Sequence, residues 1–357
     1  MKISVNSTFS YIKFNLNYGS ALQCFALQKY LRERGHNVTL LRDYRANPVY
    51  IINRLKNVRY FKLFCRKVKA QIQLQKFIKK YIRLSERGYL SYRSLVKNCP
   101  DADCHIVGSD QIWHDAKNFR YLTYVPEGKI KLSYAASFGK AMIPEEAENI
   151  IKPYLKSFKK ITVREASGVK IINKIGYKAI QVIDPTLLLD WEEYPLRENG
   201  KYDYIYCYFL NLTQINDIPY NAIKKIAEED GKQVFITAPL NYSMFRGERL
   251  EFPAVEEWLG FYKNASYIFT NTYHGLLFCI IFRKQFLFFT QKDWSASENE
   301  RFYSILKLLS LTDRMVNCTD TSTMARKTHE PIDWDQVYII IQRQKELVDM
   351  FFSEVGL

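Results

Sequence analysis

Short apolar segments alternate with helical patterns along the chain, and most of these segments end in polar residues. Residues 2–6 form the first one, and a polar turn at 15–20 leads to apolar positions at helical spacing over 21–35, where Gly35 ends the pattern. Further apolar segments of strand length follow at 38–41, 105–107, 132–136, 160–163 and 181–183. This alternation predicts an α/β fold built on a doubly wound parallel sheet. No G-x-G-x-x-G motif occurs, so a dinucleotide site is not predicted.

The second half of the chain repeats the pattern. Strands are predicted at 204–209, 233–237 and 265–269, and helices at 219–230, 255–264 and 334–353. The charged segment that separates the two halves contains Pro195 and Gly200, which is typical of a linker. The sequence therefore predicts a first domain at 1–189, a linker at 190–200, a second domain at 201–330 and a C-terminal helix at 331–357.

The positive charge of the chain is concentrated in one segment. The net charge is +15, and the segment from Arg54 to Arg93 contains thirteen Lys and Arg and one acid, which gives +12 and leaves +3 for the rest. Apolar residues recur there at helical spacing: Leu63, Phe64, Val68, Ile72, Phe77 and Ile78. We interpret the region at about 50–98 as a basic helical insertion or an elaborated crossover in the first domain. Such a helix can bind an anionic membrane surface or nucleic acid, or it can be solvated. No nucleic-acid fold signature occurs elsewhere, so no nucleic-acid partner is expected.

The ends of the chain and its cysteines indicate the compartment. The first five residues turn polar too early for a signal peptide, and no apolar run is long enough to cross a bilayer. The seven cysteines are scattered and complete no zinc tetrad. We therefore expect a cytoplasmic protein with free thiols and no metal site.

Residues 268–282 are the segment that most strongly indicates a ligand site. The pattern predicts a strand at 265–269, a polar turn at 270–275 and a helix at 276–282. Free N–H groups and the helix dipole favour anions at such a junction. His274 lies there with the side chains of Thr270, Asn271 and Thr272, which suggests a phosphate or carboxylate site. A capped helix with a space-filling histidine is the alternative.

Six motifs occur in order along the chain. They are Asn17-Tyr18-Gly19-Ser20-Ala21-Leu22-Gln23, Val107-Gly108-Ser109-Asp110-Gln111-Ile112-Trp113, Ser133-Tyr134-Ala135-Ala136-Ser137-Phe138-Gly139, Val163-Arg164-Glu165-x-Ser167-Gly168, Asp184-Pro185-Thr186-Leu187-Leu188-Leu189 and Thr270-Asn271-Thr272-Tyr273-His274-Gly275. Together they resemble the polysaccharide pyruvyl transferase family from about residue 15 to about residue 315. Thr272 and Tyr273 stand where many relatives have Ser and Phe, and Thr272 keeps the hydroxyl. The resemblance implies two Rossmann-like domains that face a cleft, as in GT-B glycosyltransferases.

The resemblance also implies an activity. Similar enzymes transfer pyruvate from phosphoenolpyruvate onto two hydroxyls of a sugar, forming a cyclic ketal and releasing phosphate. Phosphoenolpyruvate is then a co-substrate, and no cofactor is expected. The acceptor is expected to be a glycan or lipid-linked oligosaccharide of a surface polysaccharide pathway, used at the inner face of the cytoplasmic membrane. A GT-B glycosyltransferase that uses a nucleotide sugar and a non-catalytic polysaccharide-binding relative are the alternatives.

Candidate residues follow from the charges of the implied substrate. Cationic donors and helix N-termini suit the anion, and the candidates are Arg164, Thr270, Asn271, Thr272, His274, Gly275 and Arg301. We assign Arg164 to bidentate anion binding, His274 to phosphate binding or proton donation, and Asp110 to the base. The candidate acceptor ligands are Asn17, Tyr18, Gln111, Trp113 and Ser137. Ordinary structural roles are the alternatives: helix caps, core aromatics, and an ion pair between Arg164 and Glu165. Asp184, which precedes Pro185, is interpreted as structural rather than catalytic.

Overall fold

The first half of the chain folds around a seven-stranded parallel sheet. The computed structural model describes residues 1–8, 16–43, 61–245, 247–290, 296–317 and 321–357. The strands of this sheet are β1 (Lys2–Asn6), β2 (Asn37–Asp43), β3 (Leu84–Tyr89), β4 (Cys104–Val107), β5 (Ile130–Ala136), β6 (Lys160–Val163) and β7 (Ile180–Gln181). They lie in the order β3-β2-β1-β4-β5-β6-β7, and Ile3 of β1 pairs with Val38 on one side and Cys104 on the other. The strand order reverses between β1 and β4.

A second parallel sheet follows in the chain. Its five strands are β8 (Tyr204–Tyr208), β9 (Val234–Thr237), β10 (Ala265–Thr270), β11 (Gln285–Thr290) and β12 (Met315–Asn317). They lie in the order β12-β11-β10-β8-β9, so the order reverses between β8 and β10. The predicted class of two parallel α/β units is thus confirmed. β11 and β12 are strands for which we predicted no element.

The described part of the chain contains eleven α-helices, which cover the two sheets. They are α1 (Tyr18–Glu33), α2 (Phe61–Tyr81), α3 (Tyr92–Lys97), α4 (Glu145–Leu155), α5 (Ala166–Ile175), α6 (Tyr220–Glu229), α7 (Val255–Asn264), α8 (Tyr273–Ile281), α9 (Ala296–Leu308), α10 (Met324–His329) and α11 (Trp334–Glu354). The helices α1 to α9 lie between consecutive parallel strands of one sheet, whereas α10 and α11 follow the last strand. Within the described parts of the chain, no helix is both long and apolar enough to cross a bilayer.

The C-terminal helix α11 returns to the first sheet. The Phe352 ring packs against Tyr30 of α1 and Tyr134 of β5, with centroid distances of 5.6 and 5.4 Å. Lys345 of α11 lies with its Nζ 2.9 Å from Oδ1 of Asp190. Asp190 belongs to the segment that leads from the first unit to the second. The chain therefore crosses between the units twice, and the two crossings lie side by side.

Of the two structures that we predicted for the basic region, a helical insertion and an elaborated crossover, the protein has the crossover. Residues 50–60 lie outside the described part of the chain, but the rest forms the crossover from β2 through α2 to the edge strand β3. Leu74, Phe77 and Ile78 of α2 are buried, and the Phe77 ring packs on Phe25 of α1 with a centroid distance of 6.1 Å. Burial against α1 explains the apolar spacing, so most of the apolar face of this helix is covered by the protein. Ile72 is the exception and is exposed.

Candidate active site

A cavity of about 680 Å³ lies between the two sheets. Residues that follow β1 and β4 line it on one side, and residues that follow β8 and β10 line it on the other. These four strands flank the two positions at which the strand order reverses. Open parallel sheets bind ligands at the carboxyl ends of their strands, at such positions. The topology therefore identifies this cavity as the candidate active site.

His274 enters the cavity from the N-terminus of α8. Thr272 caps this helix, because its Oγ1 accepts a hydrogen bond of 3.0 Å from the Gly275 N–H. The helix consequently begins at Tyr273, three residues earlier than predicted, and His274 lies in its first turn rather than in the preceding loop. A capping hydroxyl that satisfies a first-turn donor explains the early start.

A glycine brings a second helix N-terminus to the same place. A Cβ atom on Gly19 of α1 would lie 2.2 Å from both Cβ and Cγ of His274, so only glycine permits this approach. Asn17 caps α1 by accepting from the Ser20 N–H at 3.2 Å, and Asn17 also lines the cavity. Two helix N-termini thus converge beside His274. Their aligned N–H groups and dipoles favour a bound anion.

Asp184 contacts residues of the first unit and lies next to His274 of the second. Its Oδ2 accepts from Ser109 Oγ at 2.8 Å and from Arg164 Nη1 at 3.2 Å, and it lies 3.8 Å from His274 Nε2. Its Oδ1 accepts from the N–H and the hydroxyl of Thr186 at 3.0 and 2.8 Å. The carboxylate is fully buried. We had interpreted Asp184 as structural, and the geometry also gives it a direct electrostatic influence on His274.

Arg164 does not occupy the position that we predicted. Its side chain is only 1% exposed, and it does not line the cavity. Its Nε donates to Glu165 at 2.8 Å, its Nη1 donates to Asp184, and its guanidinium lies 3.9 Å from the centre of the Tyr273 ring. Burial opposes the positive charge, but Tyr273 and the nearby carboxylates raise the pKa of Arg164. The residue is therefore a fixed positive charge under the cavity floor instead of a bidentate ligand.

The titratable residues that line the cavity include the predicted His274, Asp110 and Arg301. Burial lowers the pKa of His274; Asp184 and Asp110 oppose this shift, and the two arginines add to it. Burial acts to raise the pKa of Asp110, but His274, Arg164, the Gln111 N–H and Arg301 together hold it below its usual value. Burial lowers the pKa of Arg301 to about 10, so the guanidinium is charged at neutral pH. The free protein thus presents a neutral imidazole, a carboxylate and a guanidinium.

Several other predicted ligands are part of the framework. Thr270 is buried and donates to the Tyr208 carbonyl at 2.7 Å, and Gly275 packs against Thr270 and Thr272 at distances that exclude a side chain. Ser137 is also buried, and its Oγ accepts from the Gly139 N–H at 3.0 Å. None of these three residues lines the cavity. They hold the backbone around the site.

The two aromatic residues predicted to stack on a sugar lie in the core. Trp113 is 1% exposed and stacks on Tyr121 with a centroid distance of 5.2 Å. Tyr18 is fully buried, stacks on Trp258 at 5.3 Å and donates to the Pro253 carbonyl at 2.8 Å. Neither ring has a face open to a ligand, so the stacking prediction was wrong for both.

The cavity wall contains predicted and unpredicted polar residues. Asn17, Gln111, Asn271 and Thr272 line it as predicted. Sequence reasoning missed further lining residues: Ser7, Thr8, Ser20, Gln71, Gln75, His114, Asp115, Lys117, Arg120 and Asn211. Asn211 follows the predicted strand at 204–209, so the rule used for the other strand ends identifies it. Gln71 and Gln75 had no such signal, because they lie on the basic helix.

The described residues contain no cluster suited to a metal. Among them, no group of three His, Cys, Asp or Glu is placed to hold an ion. The described cysteines Cys24, Cys65, Cys99, Cys104, Cys207 and Cys279 are free, and Cys318 lies outside the described part of the chain.

Comparisons with known proteins agree with this architecture. A model of the polysaccharide pyruvyl transferase family matches residues 17–293. No curated protein matches the sequence. Among solved structures, the chain is similar to S. aureus MnaA with UDP, at 11% identity and a TM-score of 0.58, over 100% of this chain and 97% of that one.

The UDP-GlcNAc 2-epimerase of Methanocaldococcus jannaschii, solved in complex with UDP-GlcNAc and UDP, is similar at 11% identity. The TM-score is 0.56, over 99% of this chain and 100% of that one. At such low identity the likeness concerns the fold, and it confirms the GT-B-like arrangement of two Rossmann-like units around a cleft.

Proposed function

Because the chain belongs to the polysaccharide pyruvyl transferase family, we propose that it transfers pyruvate from phosphoenolpyruvate onto two hydroxyls of a sugar. One observation carries the donor assignment. Two helix N-termini converge beside His274 in a cavity that Arg301 also lines, with the charge of Arg164 below. Phosphoenolpyruvate carries a phosphate and a carboxylate, and this constellation suits both groups.

His274 is the group that we assign to proton transfer. Its pKa is lowered in the free protein, so it is neutral there. A bound phosphate brings negative charge beside the ring and raises the pKa of the imidazole, so donor binding is coupled to proton uptake. The imidazolium then donates its proton to the methylene carbon of phosphoenolpyruvate. The enol carbon becomes an oxocarbenium-like centre that a hydroxyl attacks.

Asp110 is the group that we assign to the acceptor hydroxyl. Its lowered pKa keeps it ionised at neutral pH, as a general base requires. The residue has a φ of 70°, and its Oδ1 accepts from the Gln111 N–H at 2.9 Å, which fixes the carboxylate at the cavity. The first hydroxyl loses its proton as it adds to the donor carbon. The bond from the donor carbon to phosphate then breaks, and the second hydroxyl adds to that carbon and closes the ketal, while its proton passes to His274, which the first step left neutral.

The basic helix supports a location at an anionic surface. Lys62, Lys69, Lys76 and Lys80 of α2 are exposed. Because the apolar side of α2 packs mainly on the protein, we propose that the attraction to anionic lipid is mostly electrostatic and weakens with salt. We propose that binding of α2 to the lipid brings the cavity, which α2 also lines, to a lipid-linked acceptor at the inner face of the cytoplasmic membrane.

The reaction is tested by incubating the protein with phosphoenolpyruvate and extracted lipid-linked oligosaccharides. We expect acceptor-dependent release of phosphate and a product that gains pyruvate minus one water, measured by mass spectrometry. His274→Gln should abolish both signals without lowering the melting temperature by more than a few degrees. Stabilisation by UDP but not by phosphoenolpyruvate, together with no phosphate release, would refute the assignment and favour a nucleotide-sugar transferase.

A further inference from the structure

One face of the basic helix α2 forms a wall of the cavity. Gln71, Leu74, Gln75 and Ile78 line it, and their spacing of three, four and seven residues puts them on a single helical face. Three of them, Gln71, Leu74 and Ile78, are at most 6% exposed. Most lysines of the helix are exposed to solvent, and Lys67, which is half-buried beside the Tyr242 ring, does not line the cavity. This wall is therefore neutral, with two amides beside two aliphatic side chains.

Gln71 has hydrogen-bonding capacity that the protein does not use. The residue is 6% exposed, and its Oε1 is buried without a hydrogen-bond partner among the described residues. A buried amide oxygen without a partner is costly, and native proteins contain few such groups. Rotation of the terminal amide exchanges its oxygen and nitrogen, so the group can present an acceptor or two donors to the cavity. A hydroxyl of a ligand can use either.

We propose that Gln71 and Gln75 bind hydroxyl groups of the acceptor sugar, while Leu74 and Ile78 contact the apolar face of its ring. This assignment rests on the proposed function, and it identifies the acceptor as a neutral pyranoside at this wall. A sugar ring offers hydroxyls at its edge and C–H groups on its faces, which matches amides beside aliphatic side chains. The wall does not suit the donor, because it carries no cationic side chain for a phosphate or carboxylate.

The position of the wall also explains how the site manages without the expected aromatic residues. Tyr18 and Trp113 are both in the core and cannot stack on a sugar. The aliphatic pair on α2 supplies the apolar surface in their place. Since α2 is the crossover to an edge strand, substitutions on this face alter the cavity wall without altering the central strands β4 and β10, which precede Asp110 and His274.

The test compares Gln71→Leu with a matched control on the same helix. Gln73 is partly exposed and does not line the cavity, so Gln73→Leu makes the same chemical change on another face. Methyl galactopyranoside, methyl glucopyranoside and their monodeoxy analogues serve as acceptors. Gln71→Leu should raise the acceptor KM by about 3- to 10-fold, as expected for one neutral hydrogen bond, with an unchanged KM for phosphoenolpyruvate. Gln73→Leu should leave both values unchanged.

The deoxy analogues show which hydroxyl is bound. For the parent protein, the analogue that lacks this hydroxyl should bind more weakly than the complete methyl glycoside. For Gln71→Leu, the two sugars should bind equally. Equal acceptor KM values for Gln71→Leu and Gln73→Leu, or an equal rise in both substrates' KM values, would refute the assignment. If the parent protein turns over no acceptor, the proposed reaction fails separately. Saturation-transfer NMR of the methyl glycosides then still decides whether Gln71 binds sugar, since loss of the signal in Gln71→Leu alone supports it and an unchanged signal overturns it.

Discussion

Replacing Asp184 with Asn tests whether the buried carboxylate controls His274. The substitution keeps the shape and removes the charge that lies 3.8 Å from His274 Nε2. Opposite charges about 4 Å apart interact by about 4 kcal/mol at an effective dielectric constant near 20. That value is an upper bound here, because Asp184 also neutralises Arg164. We expect between one third and all of this interaction energy to stabilise the protonated His274. Its loss in Asp184→Asn then lowers kcat/KM by about 10- to 1,000-fold at neutral pH.

The pH profile of Asp184→Asn separates this effect from simple damage to the fold. Activity that needs the protonated imidazole is lost as pH rises through its pKa. Removing the carboxylate lowers that pKa further, so the descending limb moves to lower pH and acidification partly restores the rate. The assay is steady-state phosphate release between pH 5 and pH 9, with melting temperatures measured across the same range.

Ser109→Ala is the matched control for this substitution. Ser109 donates to the same oxygen of Asp184 at 2.8 Å, so its loss removes one neutral hydrogen bond and leaves the charge in place. Both variants should lower the free energy of unfolding, by about 0.5–1.5 kcal/mol for Ser109→Ala and about 1.5–3 kcal/mol for Asp184→Asn. Both should therefore melt at a lower temperature. Only Asp184→Asn should shift the pH profile. An unshifted profile with near-normal kcat in Asp184→Asn would refute the coupling to His274.

Three further variants test other parts of the site and the basic helix. Gly19→Ala places a Cβ atom 2.2 Å from His274, so we expect about a 100-fold loss of kcat/KM in phosphate release; normal activity would contradict the convergence of the two helices. Arg301→Gln removes the arginine of the cavity wall and should raise the KM for phosphoenolpyruvate by about 10-fold or more, whereas an effect on the acceptor KM alone would reassign it. Replacing the exposed residues Lys69 and Lys76 by Gln should weaken binding to phosphatidylserine vesicles roughly 30-fold in sedimentation, at about 1 kcal/mol per lysine. Turnover of a soluble methyl glycoside should not change, and unchanged vesicle binding would remove this helix from the membrane assignment.

The sequence predicted the sheets better than the contacts between side chains. Apolar periodicity predicted most of the strands and helices, because burial of one face of an element requires apolar residues at regular spacing. The early start of α8 depends on the Thr272 hydroxyl meeting the Gly275 N–H, which periodicity does not report. The edge strand β3 was missed because Leu84–Tyr89 carries charges, as edge strands commonly do.

The sequence predicted that the site lies at the carboxyl ends of the strands, but it did not predict the contacts within the site. Polar residues after each strand indicated where a ligand binds, and Asp110, Asn271, Thr272 and His274 indeed line the cavity. Whether Arg164 meets a substrate or the buried Asp184 depends on distances between the ends of different strands. No local pattern contains that information. The apolar spacing of α2 likewise showed an amphipathic helix but not which surface covers it.

The return of α11 to the first sheet has a mechanical consequence. The chain passes between the units at two places, and the contact between Lys345 and Asp190 holds these passages together. Two adjacent covalent connections resist sliding and twisting, and they leave rotation about the line through both as the soft motion. We therefore expect the two units to rotate relative to each other about that line. Such a rotation would change the width of the cavity mouth most and the position of the inner wall around Asp184 least.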